Sequence, residues 1–115
     1  MSVTTAEVAE IIRGVSTRVI DPGFRRLSPD QIHEKAPGDL VTDLDRQAEG
    51  ELSRLLTSAG GGIVVGEESV HDDASVLQEL TTAELAWVID PIDGTKNYVN
   101  GSTHHAVMVA EAQHG

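Results

Sequence analysis

Apolar residues near the start of the chain recur every three or four positions, which is the spacing of one face of an α-helix. They are Val8, Ile11, Ile12, Val15 and Val19. Thr4 and Glu7 precede this stripe at the separation of a capping box, in which the two side chains satisfy free amides at the helix start. The pattern predicts a first helix that begins at Thr4 and ends near the breaker sequence Asp21-Pro22-Gly23.

A second helical stripe lies in the middle of the chain. Its apolar members are Leu44, Ala48, Leu52, Leu55 and Leu56. Thr42 stands before the stripe and Asp45 follows three positions later, again as in a capping box, while glycines at 60–62 close it. The pattern predicts a second helix over residues 43–58. The polar stretch 25–38 has little periodicity and is predicted to be a loop, or a short helix around SPDQIHEK.

Three short apolar runs, residues 63–65, 85–89 and 106–110, are too brief for buried helices and predict strands. The acidic segment between the first two is irregular, with a helical turn predicted near residues 76–80. Strands that are apolar on both faces need cover on both faces. The predicted fold class is therefore α/β, with helices packed on both sides of a mixed sheet in layers.

Composition narrows the possible functions. The chain has 115 residues, about one domain, and its 19 acidic against 8 basic residues give a formal net charge of −11. This balance repels nucleic acid and anionic membranes and favours cations. Without cysteine there is no thiolate zinc site or cysteine nucleophile. No signal-like segment or long apolar run occurs, so we expect a cytoplasmic protein with neither nucleic acid nor membrane as a partner.

Carboxylates cluster where the predicted elements meet. One pair follows the first strand, a second follows the next strand, and a third opens the second helix. These pairs are Glu67 and Glu68, Asp90 and Asp93, and Asp43 and Asp45. Ligands of open α/β sheets bind beyond the carboxyl ends of the strands, so the first two pairs converge if their strands are neighbours.

The sequence DPIDGT, residues 90–95, suits a hard cation beside a phosphate. Asp90, Asp93 and the Ile92 carbonyl offer three oxygens, the ligand type that Mg²⁺ prefers. Gly94 permits close approach, and a short helix opened by Thr95 offers amides to a phosphate. Taken singly, Asp-Pro and Asp-Gly are common turn pairs, GEES is an ordinary polar loop, and Asp45 is the capping-box partner of Thr42.

Three sequences, DLVTDLD, GEES and WVIDPIDGTKNY, occur in this order and together resemble the inositol monophosphatase family of Mg²⁺-dependent, lithium-sensitive phosphatases. The resemblance spans residues 35–110. It implies the αβαβα sandwich of that family, of which residues 1–115 would form only the N-terminal, metal-binding portion, as a fragment. Relatives are much longer and carry a further aspartate ligand in their second half.

The resemblance also implies a metal-ligand set. Glu67, Asp90 and the carbonyl of Ile92 would hold a first Mg²⁺, and Asp90 with Asp93 would form part of a second site. Glu67 would also face a third, weaker ion. The expected cofactor is therefore Mg²⁺, as two or three ions in the complete site, with Li⁺ as an inhibitor.

The remaining roles follow from the same resemblance. Asp45 and Thr95 would orient and deprotonate the attacking water, and the amides of Gly94 and Thr95 would bind phosphate oxygens. Glu68 would support the site from behind, and Lys35 would lie near the metals. No histidine is assigned to the site.

The expected substrate is inositol monophosphate or a related small phosphorylated metabolite, hydrolysed by metal-activated water. Lys96 stands where many relatives have threonine, so phosphatases of histidinol phosphate or of nucleotide 3′-phosphates are alternatives within the same superfamily. An alternative of another class is a non-catalytic Mg²⁺-binding fragment, since so much of the family's length is absent. The family also makes a homodimer possible.

Overall fold

The computed structural model describes residues 3–113 and opens with a helical segment. Helix α1 spans Thr5–Val15, continues as a π-helical turn over Ser16–Ile20, and ends in the single turn α2, Asp21–Gly23. The predicted capping box is present, because the Glu7 amide donates to Thr4 Oγ1 at 3.1 Å and the Thr4 amide donates to the Glu7 carboxylate at 3.2 Å. Both predicted ends of the first helical segment are confirmed.

The segment predicted as a loop or a short helix instead contains a short 3₁₀ helix and the first strand of a β-hairpin. After a short 3₁₀ turn over Pro29–Gln31, strand β1 (Ile32–Ala36) pairs antiparallel with strand β2 (Asp39–Thr42). The prediction was wrong because most side chains of β1 are exposed and leave no regular burial pattern for the sequence to reveal. A tight turn at Gly38, whose φ is +79°, joins the strands.

Helix α3 spans Asp43–Gly60, within two residues of the prediction. Its inward side chains Ala48, Leu52 and Leu56 are fully buried, as the apolar stripe requires. The helix ends where Gly61 adopts a φ of +73°, a conformation that favours glycine.

A three-stranded sheet follows. Strands β3 (Ile63–Gly66), β4 (Leu85–Asp93) and β5 (Ala106–Gln113) lie in the order β3-β4-β5. The first pair is parallel and the second antiparallel, so the predicted mixed sheet is confirmed. Helices α4 (Glu67–Asp72) and α5 (Val76–Glu79) connect β3 to β4, and helix α6 (Thr95–Val99) follows β4.

One face of the sheet carries the core. Trp87 and Ile89 of β4 pack with Leu52 and Leu56 of α3 and with Val15 of α1, and all five side chains are nearly inaccessible to solvent. The indole of Trp87 also donates a hydrogen bond to the Gly61 carbonyl at 3.0 Å. Burial of this kind stabilises by roughly 25 cal/mol per Å² of apolar surface. The two long helices therefore hold β4 firmly, and β4 ends at the acidic site.

The opposite face is less covered than predicted. Met108 of β5 is 52% exposed and Leu77 of α5 is 49% exposed, and both line a groove of about 430 Å³ beside Val70 and Val88. The short helices α4 and α5 lie on this side of the sheet and contribute Val70 and Leu77 to the groove, but they cover it only in part. The physical reason is that β5 pairs antiparallel and alternates inward and outward side chains, a pattern that allows one face of a sheet to meet solvent. None of the helices in residues 3–113 is both long and apolar enough to cross a membrane.

Candidate metal and phosphate site

The carboxyl end of β3 lies beside the second half of β4. The parallel register pairs Gly66 with Ile89, so the next residue of each chain segment is a carboxylate, Glu67 on one side and Asp90 on the other. The two acidic pairs therefore converge, although Asp90 and Asp93, predicted to follow their strand, lie within the last four residues of β4.

Asp90 is the most perturbed group of this edge. Burial, followed by the neighbouring carboxylates of Glu67 and Asp93, raises the pKa of Asp90 to about 8. Among the described residues, its buried Oδ1 atom has no hydrogen-bond partner. A buried carboxylate oxygen without a partner is costly, and a bound cation would remove that cost.

The oxygen atoms of this edge are of the type that a hard cation binds, although the carboxylates do not converge on a single point. Carboxylate and carbonyl oxygens are what Mg²⁺ and Ca²⁺ take. Across residues 3–113, however, no three His, Cys, Asp or Glu side chains are close enough to hold a metal ion by themselves. A cation at this edge would therefore draw on the orphaned Asp90 oxygen and on carbonyl or water oxygens as well.

Lys35 brings a positive charge to the acidic edge. Its side chain is only 6% exposed, and its Nζ lies 3.3 Å from Glu67 Oε1 and 3.4 Å from Glu68 Oε1. Burial opposes the charge on this lysine, but the carboxylates of Glu68 and Glu67 outweigh it and raise the pKa of Lys35. Lys35 belongs to β1, so the hairpin that the sequence did not predict is what carries it to the acidic edge.

Glu68 points inward, behind Glu67. Its side chain is 3% exposed, its Oε1 faces Lys35, and its Oε2 has no hydrogen-bond partner in the described part of the chain. Burial raises the pKa of Glu68. Glu67, in contrast, is partly open to solvent, and its hydrogen bond with Asp90 is the main cause that lowers its pKa. Only Glu67 of this pair is placed to meet a ligand that arrives from solvent.

Asp45 links the start of α3 to the segment after β4. Its Oδ2 accepts hydrogen bonds from the Thr42 amide at 2.8 Å and the Thr42 hydroxyl at 2.6 Å, which completes the predicted capping box. Its Oδ1 lies 2.9 Å from the hydroxyl of Thr95, fifty positions away in sequence. Burial raises the pKa of Asp45, and the hydrogen bonds from Thr42 and Thr95 offset part of that rise. The side chain of Asp45 is thus at once the capping-box partner of Thr42 and the hydrogen-bond partner of Thr95.

A cavity of about 230 Å³ opens over these groups. Its walls include every predicted metal and phosphate residue together with the hairpin turn and one further lysine. They are Gly38, Asp39, Leu40, Glu67, Asp90, Ile92, Asp93, Gly94, Thr95 and Lys96. Gly94 has a φ of +83°, and a Cβ there would come within 2.8 Å of the His104 carbonyl oxygen, so only glycine suits this position. The chain turns sharply at Gly94, and α6 begins at the cavity wall.

Asp43 does not join the site. Its carboxylate faces the exposed ring of His33, with 2.7 Å between Oδ1 and Nε2. Of the three acidic pairs predicted from the sequence, the third therefore contributes Asp45 alone.

Glu49 is a buried acidic residue that sequence reasoning missed. It is 8% exposed, and its carboxylate accepts hydrogen bonds from the Glu68 amide at 2.8 Å and the Ser69 amide at 3.0 Å. The available signal was its position, one helical turn after Asp45 and between the buried Ala48 and Leu52. A charged residue inside an apolar stripe needs a partner, and here the partner is the start of α4.

The fold and the site together define a layered α/β protein with an acidic cavity at the carboxyl ends of two parallel strands. A family model described as the inositol monophosphatase family matches residues 2–115. The chain therefore belongs to the inositol monophosphatase family. Its predicted membership is confirmed, and the family places it among phosphatases by resemblance.

Individual relatives agree with this assignment. A fructose-1,6-bisphosphatase/inositol-1-monophosphatase from Aquifex aeolicus is 34% identical over 104 residues, which cover 90% of this chain and 37% of that protein. Nus factor SuhB from Pseudomonas aeruginosa is 37% identical over 88 residues, which cover 76% of this chain and 31% of that protein. The chain thus spans about a third of the length of these curated relatives.

A solved structure shares the fold. The crystal structure of an IMPase/NADP phosphatase complexed with NADP and Ca²⁺ matches with a TM-score of 0.73 at 20% identity, and the match covers 100% of this chain and 43% of that one. The bound NADP and Ca²⁺ belong to that protein. The likeness confirms the predicted fold class, in which helices pack on a mixed sheet.

Proposed function

We propose that this chain supplies the N-terminal metal- and phosphate-binding portion, residues 1–115, of a Mg²⁺-dependent phosphomonoesterase. The substrate class is a small phosphorylated metabolite, with inositol monophosphate as the first candidate. The observation that carries the proposal is Asp90, a carboxylate with a raised pKa and an unpartnered buried oxygen, which lines a cavity together with Glu67 and Asp93. The proposal keeps the cytoplasmic location expected from the sequence.

The acidic edge would hold the cation. Glu67, Asp90 and the carbonyl of Ile92 are proposed ligands of one Mg²⁺, and Asp90 with Asp93 of a second, while Li⁺ would inhibit. Bound Mg²⁺ supplies a lower pKa for water and neutralises charge on phosphate oxygens. The carbonyl of Ile92 also lies 3.0 Å from the Thr95 hydroxyl, so the proposed ligand and the proposed catalytic hydroxyl are neighbours.

Thr95 and Asp45 would handle the proton. The Thr95 hydroxyl lies 2.9 Å from Asp45 Oδ1, so Thr95 can accept a proton from the attacking water while passing its own to the carboxylate. Burial and a raised pKa make Asp45 a better base than a solvated aspartate. The amides of Gly94 and Thr95 at the start of α6 would orient the phosphate, and Glu68 would hold Lys35 beside Glu67.

Lys96 bears on the choice of substrate. It is an exposed cation on the wall of the cavity that also holds Glu67 and Asp93. A substrate with a second anionic group would gain from a positive charge at this position. Among the alternatives to inositol monophosphate, Lys96 therefore favours nucleotide 3′-phosphates that carry a second phosphate, whereas histidinol phosphate has a single anionic group and stays an alternative on the sequence resemblance alone.

The test is release of phosphate by the purified chain in the presence and absence of Mg²⁺, together with binding of Mg²⁺ by calorimetry. Asp93→Asn should abolish the release of phosphate and should weaken the binding of Mg²⁺. Asp73→Asn is the matched control, because Asp73 bonds to Ser75 on the surface outside the cavity. Mg²⁺ binding without any turnover above buffer would favour the non-catalytic Mg²⁺-binding fragment, and loss of neither property in Asp93→Asn would contradict the proposed site.

A second candidate rests on the similarity to Nus factor SuhB. The chain would then act as a Nus factor, and its net charge of −11 would favour contact with a protein over direct contact with nucleic acid. Complementation of a Pseudomonas aeruginosa strain that lacks its SuhB, by the chain with and without Asp93→Asn, separates the two candidates. Rescue by both forms would support a role that needs no turnover, and rescue by neither would remove this candidate.

A further inference from the structure

The start of α4 depends on a carboxylate from another helix. The first amides of any α-helix lack acceptors within the helix. In α4 two of these amides, those of Glu68 and Ser69, donate to the two oxygens of Glu49 on α3, at 2.8 Å and 3.0 Å. A negative charge is also favourable at a helix start, so the pairing is suited to a fixed position.

At the junction between β3 and α4 the carboxyl group of Glu49 lies directly against the backbone of Gly66. A Cβ on Gly66 would overlap the carboxyl group of Glu49. The Ser69 hydroxyl closes the turn from the other side, since it lies 3.0 Å from both the amide and the carbonyl of Gly66. Glu67 is the residue between these fixed points, and its backbone is therefore set by Glu49.

Helix α3 reaches both halves of the acidic edge. Asp45 and Glu49 are four positions apart and so lie one above the other on the same helix face. Asp45 contacts Thr95 after β4, and Glu49 contacts Glu68 and Ser69 after β3. One rigid helix thus sets the separation between the segment that carries Glu67 and the segment that carries Asp93.

The far end of α4 is tied to the same helix. Arg46 of α3 donates to both carboxylate oxygens of Asp72, at 2.9 Å and 3.3 Å. This pair is exposed, and exposed ion pairs contribute little, about 0.2–1 kcal/mol. The buried contact of Glu49 is therefore the one that decides where α4 begins.

We propose that Glu49 is a positioning residue, which fixes the start of α4 and thereby aims Glu67 at Asp90 across the acidic edge. The inference rests on the proposed metal site for its consequence, but the contact itself is independent of any metal. A capping group that served stability alone would change the free energy of unfolding and leave the cation affinity of the folded chain unaltered.

The experiment compares Glu49→Gln, Glu49→Asp and Glu51→Gln. Glu51→Gln is the matched control, because it removes the same charge from the same helix. The side chain of Glu51 pairs with Arg18 and not with α4. Mn²⁺ serves as the probe, with its affinity measured by electron paramagnetic resonance on the folded chain. Glu49→Gln should weaken Mn²⁺ binding roughly 10- to 100-fold, as is typical when a group that orients a ligand is lost. Glu49→Asp should recover part of the loss, and Glu51→Gln should match the wild type.

A second measurement does not need the variants to fold. On the wild-type chain, added Mg²⁺ should slow hydrogen exchange of the Glu68 and Ser69 amides, because a cation that favours the aimed position of Glu67 favours the bonds to Glu49 equally. In a wild-type chain that binds Mg²⁺, unchanged exchange of these amides would overturn the inference, and so would unchanged Mn²⁺ affinity in a folded Glu49→Gln chain.

Failure of the proposed function gives a different result. If the wild type binds neither Mn²⁺ nor Mg²⁺, the metal site is wrong. In that case the NMR chemical shifts of the Glu68 and Ser69 amides test whether Glu49 fixes the start of α4, independently of any metal. Chemical shifts that change in Glu49→Gln but not in Glu51→Gln would support the role of Glu49 in fixing the start of α4. Chemical shifts that change in neither variant would refute that role.

Discussion

Asp90 shows how a single residue ties protonation to the stability of the fold. Its pKa is raised to about 8 by burial and then by its acidic neighbours, against about 3.9 in an unfolded chain. The folded chain therefore binds this proton more tightly than the unfolded chain does. The resulting contribution to stability is complete below the unfolded pKa and is lost as the pH rises through about 8.

We accordingly expect the free energy of unfolding, measured without divalent cations, to fall as the pH rises between the unfolded and folded pKa values of Asp90. Asp90→Asn should reduce this slope without abolishing it, because Asp45, Glu49 and Glu68 also have raised pKa values. Mg²⁺ should stabilise most at the alkaline end. Urea unfolding across this pH range provides the measurement, and an unchanged slope in Asp90→Asn would contradict it.

Thr95 can be tested by removing only its hydroxyl. Thr95→Val keeps the shape of the side chain but deletes the donor to Asp45, which should raise the pKa of Asp45 further. If the pair moves a proton, turnover should fall by about 10²-fold or more with little change in KM. Thr95→Ser should restore both the pKa and the turnover. An Asp45 pKa that does not respond, followed by NMR, would remove the pair from the mechanism.

At this scale the sequence revealed the acidic residues but not all their surroundings. Glu67, Asp90 and Asp93 were predictable because strand ends and turn residues mark them. The role of Glu49 was not, since its partners are backbone amides nineteen and twenty positions away, and backbone amides leave no trace in a sequence.

At the scale of elements, the β1-β2 hairpin is the largest difference between the structure and the elements predicted from the sequence. The two long helices and the sheet strands were predictable from their apolar periods, with bounds within about four residues of the prediction, whereas α4 lies in a segment predicted to be irregular. The hairpin pairs polar, largely exposed segments, so its register comes from backbone bonding and not from a hydrophobic pattern. It delivers Lys35 to Glu67 and Glu68.

Removing the charge that this hairpin delivers should destabilise the chain. Lys35→Met leaves the buried Glu68 without its cation, which we expect to cost about 1–3 kcal/mol of unfolding free energy. Lys96→Met is the control, because Lys96 is exposed and makes no salt bridge within residues 3–113. Denaturant unfolding of both variants at neutral pH is the measurement. Equal stabilities would show that the hairpin lysine is not a structural partner of Glu68.

At the scale of the whole molecule, the two faces of the sheet differ. The face beneath α1 and α3 is closed and apolar, whereas the other face leaves Met108 half exposed. The mixed sheet was predictable from three apolar runs. The partial cover of the other face was not predictable, because the apolar run of β5 predicts burial of every residue, whereas only alternate side chains of β5 are partly buried.

This difference predicts unequal costs for similar truncations. Leu52→Ala removes a fully buried side chain and should cost about 2–5 kcal/mol of unfolding free energy. Met108→Ala, on the open face, should stay within about 0.5 kcal/mol of the wild type. Thermal and urea unfolding measure both. A large loss for Met108→Ala would mean that this face is covered in solution.

The parallel register of β3 and β4 has a consequence for how the chain tolerates insertions. Glu67 and Asp90 are adjacent because their strands are hydrogen-bonded neighbours, not because of the length of chain between them. The stretch 73–84 can therefore lengthen or shorten at little cost to the site, since loop closure depends only weakly on length. A single residue inserted between Gly66 and Glu67 would instead turn Glu67 by about 100° around α4 and separate it from Asp90.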